Sequence, residues 1–297
     1  MEHEGVFSDL DEAGRQLDSP VVTIGNFDGV HIGHQAIFGR ANTCAEEADV
    51  PSLALTFSPH PVRFFKPDAD EFRLTTDAQK FRLIRQHDID AVLALPFDRS
   101  VAELEPDAFV DRILDRGLDA SRVIVGANFA FGKNRAGSTE DLERLCRNRD
   151  IAADICEKVE YGGEVVSSTR IREALGDGKV AAAADLLGRN HRVAGTVVEG
   201  EGRGRDLGYP TANIAPQNLV PADGIYATYL HIPDEGPLPS ASSLGTRPTF
   251  EVGNRTTECF VLEGKDWDLY DQDVELEFVE YIRPERAFDE VDELVEQ

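Results

Sequence analysis

The amino-acid sequence predicts two successive domains, an α/β domain with a parallel sheet and then an antiparallel β-barrel. Three observations support this expectation. The chain has 297 residues, about twice the length of a typical domain of roughly 150 residues. Its first part alternates apolar strands with helix-like segments, a rhythm that favours a parallel sheet covered by helices. After Leu187, strand-like runs follow one another across glycine- or proline-containing turns, which is typical of an antiparallel barrel or sandwich.

Four apolar runs in the first part are predicted to be strands buried on both faces of a sheet. Each is nearly continuous in apolar residues and precedes a polar or glycine-containing turn. The runs are VVTIG at 21–25, LALTF at 53–57, AVLALPF at 91–97 and VIVG at 123–126. Sheets of this kind bind ligands at the carboxyl ends of their strands.

Helix-like segments separate these strands, and lie at 34–48, 77–87, 106–117 and 138–149. Pro106 suits the first position of a helix. Ser138 or Thr139 can cap the last segment, which carries acidic residues in its first turn.

The second part is predicted to contain strands with alternating apolar and polar residues. The strand-like runs are HRVAGTVVEG, GIYATYLHI, ECFVLEG and VELEFVEYI. A short helix between glycines at 177–190 is the expected junction of the two domains. The polar segment 231–242 is interpreted as a surface loop, and 288–297 as a final helix-like segment.

Composition indicates a protein of the cytoplasm. No run approaches the roughly 18 apolar residues of a membrane span, and the acidic, polar N-terminus does not resemble a signal peptide. The four cysteines are scattered, without a C-x-x-C pair. This spacing argues against a zinc site or a disulfide framework and fits a reducing compartment.

The charge of the chain is strongly acidic. There are 30 Lys+Arg against 56 Asp+Glu, which gives a formal net charge of −26, and only 6 of the cations are lysines. Such a surface repels nucleic acid and anionic membranes, so neither is an expected partner. Solubility is one interpretation; adaptation to high intracellular salt is the other, and the depletion of lysine favours it.

The densest motif of the first part is GNFDGVHIGH at 25–34, directly after a predicted strand. His31 and His34 are three residues apart at a strand-to-helix turn, so both imidazoles can face one phosphate at the helix N-terminus. This suits adenylyl transfer, in which the nucleophile is already a phosphate anion and the protein mainly positions reactants and neutralises charge. A surface turn or a metal-binding pair is the alternative for an isolated H-x-x-H.

Further motifs make the first part resemble the nucleotidylyltransferase H-x-G-H superfamily, in its flavin-adenylylating branch. They are TFSPHP at 56–61, VGANFAFGKNRAG at 125–137 and SSTRIR at 167–172. The resemblance implies a Rossmann-like fold and catalytic roles for His31, His34 and Arg172. It also implies nucleotide binding by Gly25, Phe27, Asp28, Gly29, His60, Ser168 and Thr169, and flavin binding by Asn128 and Phe129. By themselves, Ser168 and Thr169 could be plain helix caps, and His60 a histidine in a rigid turn.

The second dense motif is GRGRDLGYPTAN at 202–213. Its glycines and arginines can close over phosphates, and Thr211 and Asn213 present oxygens that could bridge Mg²⁺ to ATP. The spacing of a Walker A loop is absent, and a basic solvated hairpin is the alternative. The predicted nucleotide-binding residues are Gly202, Arg203, Gly204, Arg205 and Pro210.

Residues 188–288 resemble the riboflavin kinase family through this motif and through GIYATYL, SLGTRPTF, TECFVL and DLYDQDVELEFVEYIR. The resemblance implies that Thr211 and Asn213 hold Mg-ATP and that Glu258 is the general base for the 5′-hydroxyl of riboflavin. An alcohol needs such proton removal, whereas a phosphate nucleophile does not.

Together the two resemblances indicate a bacterial riboflavin kinase/FAD synthetase, with an adenylyltransferase domain at 1–186 and a kinase domain at 187–297. The expected substrates are riboflavin, FMN and ATP, with Mg²⁺ as cofactor. The sequence does not indicate the oligomeric state. The family usually continues past residue 297 with a longer helix, so an enzyme that only adenylylates FMN is one alternative. A non-catalytic flavin-binding sensor is the other.

Overall fold

The computed structural model describes residues 5–199, 211–233, 235–246, 255–262 and 269–286. The helix-like segment 288–297 lies outside these ranges, as do the predicted nucleotide-binding residues Gly202, Arg203, Gly204, Arg205 and Pro210. The chain forms two compact units. The first contains residues up to 70 and from 77 to 167, and the second contains residues 71–76 and those from 168 onward. The boundary predicted between residues 186 and 187 stays a prediction.

The first unit is a parallel α/β sheet with the strand order β1-β4-β3-β2-β5-β6. Its six strands are β1 (Val6–Phe7), β2 (Val21–Ile24), β3 (Ser52–Ser58), β4 (Ala91–Pro96), β5 (Arg122–Gly126) and β6 (Ala152–Cys156). Its helices are α1 (Leu10–Gln16), α2 (Ile32–Ala48), α3 (Pro61–Phe65), α4 (Asp77–Arg85), α5 (Arg99–Ala102), α6 (Pro106–Phe109) and α7 (Thr139–Arg147). A short hairpin, β7 (Glu160–Tyr161) and β8 (Glu164–Val165), completes this unit.

The predicted parallel sheet is therefore confirmed. All four residues of β2 are buried, because the strand has apolar side chains on both faces and helices cover both. One face packs Val22 and Ile24 into a core with Leu53 and Leu93. The other face places Val21 against side chains of α2, including Phe38.

Two helix predictions can be compared with the structure in detail. Ser138 caps α7 with a capping box, because its hydroxyl accepts from the backbone N–H of Asp141 and the Asp141 side chain accepts in return. The segment predicted as one helix at 106–117 is α-helical only at Pro106–Phe109 and continues as a π-helix at Val110–Asp115.

The second unit contains a closed antiparallel barrel of six strands in the order β10-β13-β12-β11-β14-β9. The strands are β9 (His191–Val198), β10 (Thr211–Pro216), β11 (Gly224–His231), β12 (Leu238–Thr246), β13 (Arg255–Val261) and β14 (Asp273–Arg283). Two helices, α8 (Ser168–Gly176) and α9 (Val180–Leu187), precede the barrel. Alternate residues fill its interior, including Val193, Tyr226, Leu244 and Leu276, each fully buried. The predicted barrel is confirmed.

The surface loop expected at 231–242 is shorter than predicted, because β12 already begins at Leu238. Its inward positions include Ser240 and Ser242, whose hydroxyls bond to the buried Thr228 hydroxyl at 2.8 and 2.9 Å. Serines at inward positions conceal the alternation of apolar and polar residues on which the sequence prediction depended.

Residues 71–76 belong to the second unit although they lie between α3 and α4 in the sequence. The buried Asn218 side chain donates to the Leu74 carbonyl at 2.9 Å and accepts from the Ala194 backbone N–H at 2.8 Å. The Leu219 N–H donates to the Arg73 carbonyl at 2.8 Å. These bonds satisfy backbone groups of a segment without regular secondary structure.

Candidate active sites

The first candidate site lies where β2 ends, at the carboxyl edge of the parallel sheet. β2 is flanked by β3 and β5. β3 and β4 lie on one side of β2, and β5, which comes later in the sequence, lies on the other side. This edge is therefore the topological switch point, where open α/β sheets bind ligands.

The turn after β2 has an unusual backbone conformation. Phe27 and Val30 have φ of 49° and 43°, and Gly29 has φ of 84°. Positive φ is uncommon for residues other than glycine, above all for a β-branched one, and such strained residues cluster at ligand-binding turns. At Gly25 a Cβ atom would lie 2.7 Å from the Phe27 ring, so this close approach requires glycine.

This turn brings the two predicted histidines together. His31 caps α2, and its Nδ1 accepts from the His34 N–H at 3.3 Å. The two imidazole rings stack with centroids 3.6 Å apart. The Phe27 ring packs perpendicular to the His34 ring, with a centroid distance of 5.3 Å, and Asp28 is buried in the same turn. The result is an imidazole pair at a helix N-terminus, where anions are favoured.

His60 lies after the neighbouring strand β3. It caps α3, and its Nδ1 accepts from the Val62 N–H at 3.2 Å. The ring is buried, with 8% of the residue exposed. His60 thus lies at the carboxyl edge of the same sheet as His31 and His34.

A cluster of aromatic rings beside His60 was missed by the sequence analysis. Phe57 and Phe97, at the ends of β3 and β4, contact each other at 5.4 Å, and Phe64 contacts Phe97 at 5.5 Å. Phe65 joins them at 6.0 Å from Phe97, with 65% of the residue exposed. An exposed aromatic surface of this kind can take a flat apolar ring. The Phe64-Phe65 pair in a short polar segment was the available signal.

Asn128 and Phe129 follow β5, at the same carboxyl edge. Asn128 is exposed in the turn. The Phe129 ring stacks on Phe131 with a centroid distance of 5.5 Å and is only partly buried. Their flavin-binding role stays a prediction.

Ser168, Thr169 and Arg172 belong to the second unit. Ser168 and Thr169 begin α8, and Arg172 lies one turn further along it. The Arg172 Nε donates to the Phe72 carbonyl at 2.8 Å, and its guanidinium lies over the Phe72 ring at 5.5 Å. The predicted role of these residues in phosphate binding remains an expectation from the resemblance.

The barrel brings together three residues that the sequence analysis singled out. In the pairing of β10 with β13, Asn213 lies opposite Glu258 and Thr211 lies opposite Phe260. Ile214 and Cys259 face the interior, so Asn213 and Glu258 are on the outer face, because neighbouring residues of a strand alternate. Directly opposed side chains of paired strands are about 5 Å apart. Glu258 is partly buried.

Thr211 and Asn213 fit a magnesium site of the kind in which nucleotide phosphates supply most ligands. Hydroxyl and amide oxygens are hard donors that Mg²⁺ accepts, usually together with phosphate oxygens and waters. Within the described ranges, no group of three or more His, Cys, Asp or Glu side chains could hold a metal ion.

The fold and these sites define a two-domain transferase class, an α/β nucleotidylyltransferase domain followed by a barrel of the flavin kinase type. Two family models match the chain, FAD synthetase at residues 14–170 and riboflavin kinase at residues 187–297. The chain belongs to the family of bifunctional riboflavin kinase/FMN adenylyltransferases.

Curated relatives support this membership over most of their length. The bifunctional riboflavin kinase/FMN adenylyltransferase of Pseudomonas fluorescens is 38% identical over 270 residues, which cover 90% of this chain and 86% of the relative. The protein of the same name from Escherichia coli strain K12 is 35% identical over 280 residues, covering 93% and 88%.

A crystal structure described as a macrolide-efflux protein from Streptococcus pneumoniae has the same fold. Its TM-score is 0.86 at 29% sequence identity, covering 98% of this chain and 95% of that chain. In the part of this chain that the structure describes, we find no helix with the length and apolar character needed to cross a membrane.

Proposed function

We propose that the chain phosphorylates riboflavin to FMN with ATP and then adenylylates FMN to FAD with release of pyrophosphate. The observation that carries this proposal is the presence of both sites in one chain. The stacked His31–His34 pair lies at the switch point of the sheet, and Asn213 lies opposite Glu258 on the barrel. The family membership supports the same pair of reactions.

In the adenylylation, a phosphate oxygen of FMN attacks the α-phosphorus of ATP, and the bond to the pyrophosphate oxygen breaks. The nucleophile is already anionic, so no base is needed. His31 and His34 hold the α-phosphate at the helix N-terminus and stabilise the charge that develops there. The apolar surface of Phe57, Phe65 and Phe97 binds the flavin ring.

In the phosphorylation, Glu258 accepts the proton of the riboflavin 5′-hydroxyl as the oxygen attacks the γ-phosphorus of ATP, and ADP leaves. Thr211 and Asn213 would hold the magnesium ion of the nucleotide, and that ion would neutralise charge on the phosphate oxygens. From the sequence, we expect Arg203 and Arg205 to bind the same phosphates.

We also infer Mg²⁺ as the cation, the cytoplasm as the compartment and high salt as the working condition. The oxygen donors Thr211 and Asn213 support Mg²⁺. The net charge of −26 with only 6 lysines supports high salt.

Chromatography of the products tests the proposal directly. Purified protein incubated with riboflavin, ATP and MgCl₂ in high salt should yield both FMN and FAD. His34→Ala should lose FAD formation while it keeps FMN formation, because the kinase residues lie in the other domain. Glu258→Gln should reverse this pattern, and riboflavin phosphorylation should fall by roughly 10²–10⁴-fold.

Each other outcome contradicts a part of the proposal. FAD formed only from supplied FMN would leave an adenylyltransferase without kinase activity. Tight flavin binding without turnover would favour the sensor. Loss of both activities in a folded His34→Ala protein would refute the assignment of separate sites.

A further inference from the structure

A buried lysine lies beneath the turn that carries His60. Lys80, on α4, is 3% exposed, which is rare for lysine unless it is paired. Its Nζ lies 3.0 Å from Asp77 Oδ1 and 3.5 Å from the Phe57 carbonyl oxygen. It also lies 5.4 Å from the centroid of the Phe81 ring. The charge is therefore compensated by an anion, a carbonyl and a ring face.

This ion pair is connected to the carboxyl end of β3. The Ser58 hydroxyl donates to Asp77 Oδ2 at 2.6 Å, while Lys80 contacts the carbonyl of Phe57, the residue before it. The Ser58 backbone carbonyl accepts from the Phe97 N–H at 3.0 Å, which links the end of β4 to the end of β3. His60 follows Ser58 by two residues.

A gain in folding stability does not by itself explain why the chain has this ion pair. Desolvating two charges is costly, and well-packed apolar residues in their place are often neutral or stabilising. The pair contacts the edge of the sheet at which ligands bind, at Phe57 and Ser58, which lie three and two residues before His60.

We propose that Asp77 and Lys80 are positioning residues for the adenylylation reaction. They fix the end of β3 through Ser58, and thereby hold His60 against ATP and the aromatic surface against FMN. This inference rests on the proposed function of the first unit.

Two variants separate positioning from stability. Ser58→Ala removes the link and leaves the ion pair. Lys80→Met combined with Asp77→Leu replaces the pair by apolar side chains and also removes the link. We expect both proteins to fold and both to raise the KM for ATP in FAD formation about tenfold, because small displacements of a positioning group are costly. The kcat should change less than twofold, and FMN formation should be unchanged. Ser58→Thr, which keeps the hydroxyl, should have the wild-type KM for ATP.

Asp154→Asn is the matched control. Asp154 pairs with Arg122 at 2.7 Å and with Arg40 at 2.6 Å, and its side chain is 23% exposed against 30% for Asp77. Arg122 begins β5, at the opposite edge of the sheet from His60. This variant should lower the melting temperature without changing the KM for ATP.

The outcomes distinguish this inference from the proposed function. If His60→Ala raises the KM for ATP but Ser58→Ala and the double variant do not, the positioning role is wrong. The positioning role is also wrong if Ser58→Ala raises the KM for ATP but the double variant has the wild-type KM, because the pair is then structural only. If His60→Ala itself has no effect, or the wild-type protein forms no FAD, the nucleotide site assigned to the first unit fails and the inference fails with it.

Discussion

The buried histidine of the barrel should make the stability of the protein depend on pH. His191 is the first residue of β9 and is 2% exposed. One ring nitrogen, Nε2, lies 2.7 Å from the Leu219 carbonyl oxygen. Nε2 therefore carries the hydrogen and donates it, in the neutral tautomer. Burial lowers the pKa of His191 from 6.5 to about 4, because the charged ring is not solvated inside the barrel.

The size of this effect follows from the difference between the folded and unfolded states. A pKa lowered from 6.5 to about 4 corresponds to about 3 kcal/mol in favour of the neutral ring in the folded protein. The unfolded chain binds the proton first as the pH falls. The contribution is therefore complete above pH 6.5, is lost as the pH falls towards about 4, and is constant below that.

Denaturant titrations between pH 4 and 7.5 measure this loss when wild type is compared with His191→Gln. Glutamine keeps an N–H group for the Leu219 carbonyl and does not titrate, while the many carboxylates titrate equally in both proteins. The stability advantage of the wild type should shrink by about 3 kcal/mol between pH 7 and pH 4. A difference that is constant across this range would show that the ring is not held neutral.

Three further predictions concern the flavin surface, the segment 71–76 and the acidic charge. Phe65→Ala should raise the KM for FMN in FAD formation about tenfold, because it removes the most exposed ring of the cluster; an unchanged KM would exclude Phe65 from the flavin site. Asn218→Ala should lower the free energy of unfolding by about 3 kcal/mol in denaturant titrations, since it leaves buried backbone groups of 74, 192 and 194 unsatisfied; a loss below 1 kcal/mol would mean that water replaces the amide. The melting temperature should rise between 0.1 and 2 M KCl, because salt screens the repulsion of a net charge of −26. The Debye length falls from about 10 Å at 0.1 M to about 3 Å at 1 M. A melting temperature that stays flat or falls would mean that the acidic residues serve solubility only.

Local sequence signals were sufficient for most of the fold. β2, β3, β4 and β5 were predicted because their apolar residues are nearly continuous, and the structure buries them on both faces. Ser138 and Thr139 were both candidate caps before the acidic first turn, and the structure assigns the cap to Ser138, with Asp141 three positions later. His31, His34 and Asn213 were singled out because each lies in a dense motif, and Glu258 only through the resemblance to riboflavin kinases; their roles stay predictions.

The features that the sequence analysis did not predict depend on contacts between residues far apart in the sequence. Ser58 lies in the TFSPHP motif, but Asp77, 19 positions further on, and Lys80 lie in no motif. Only the folded chain shows that the three residues form one network. The assignment of residues 71–76 to the second unit depends on Asn218, which lies 144 positions beyond its partner Leu74. The aromatic surface likewise combines the ends of two strands with a short helix.

The two proposed reactions place opposite demands on their sites, which explains why one chain needs both domains. In one, ATP is attacked at the γ-phosphorus by an alcohol, which needs a base within hydrogen-bond reach. In the other, ATP is attacked at the α-phosphorus by a phosphate, which needs charge stabilisation and would be repelled by a neighbouring carboxylate. A glutamate opposite Asn213 suits the first demand, and an imidazole pair at a helix N-terminus suits the second. A single pocket could not meet both demands. The carboxylate that activates the alcohol would repel the phosphate of FMN, which is the product of the first reaction and the nucleophile of the second.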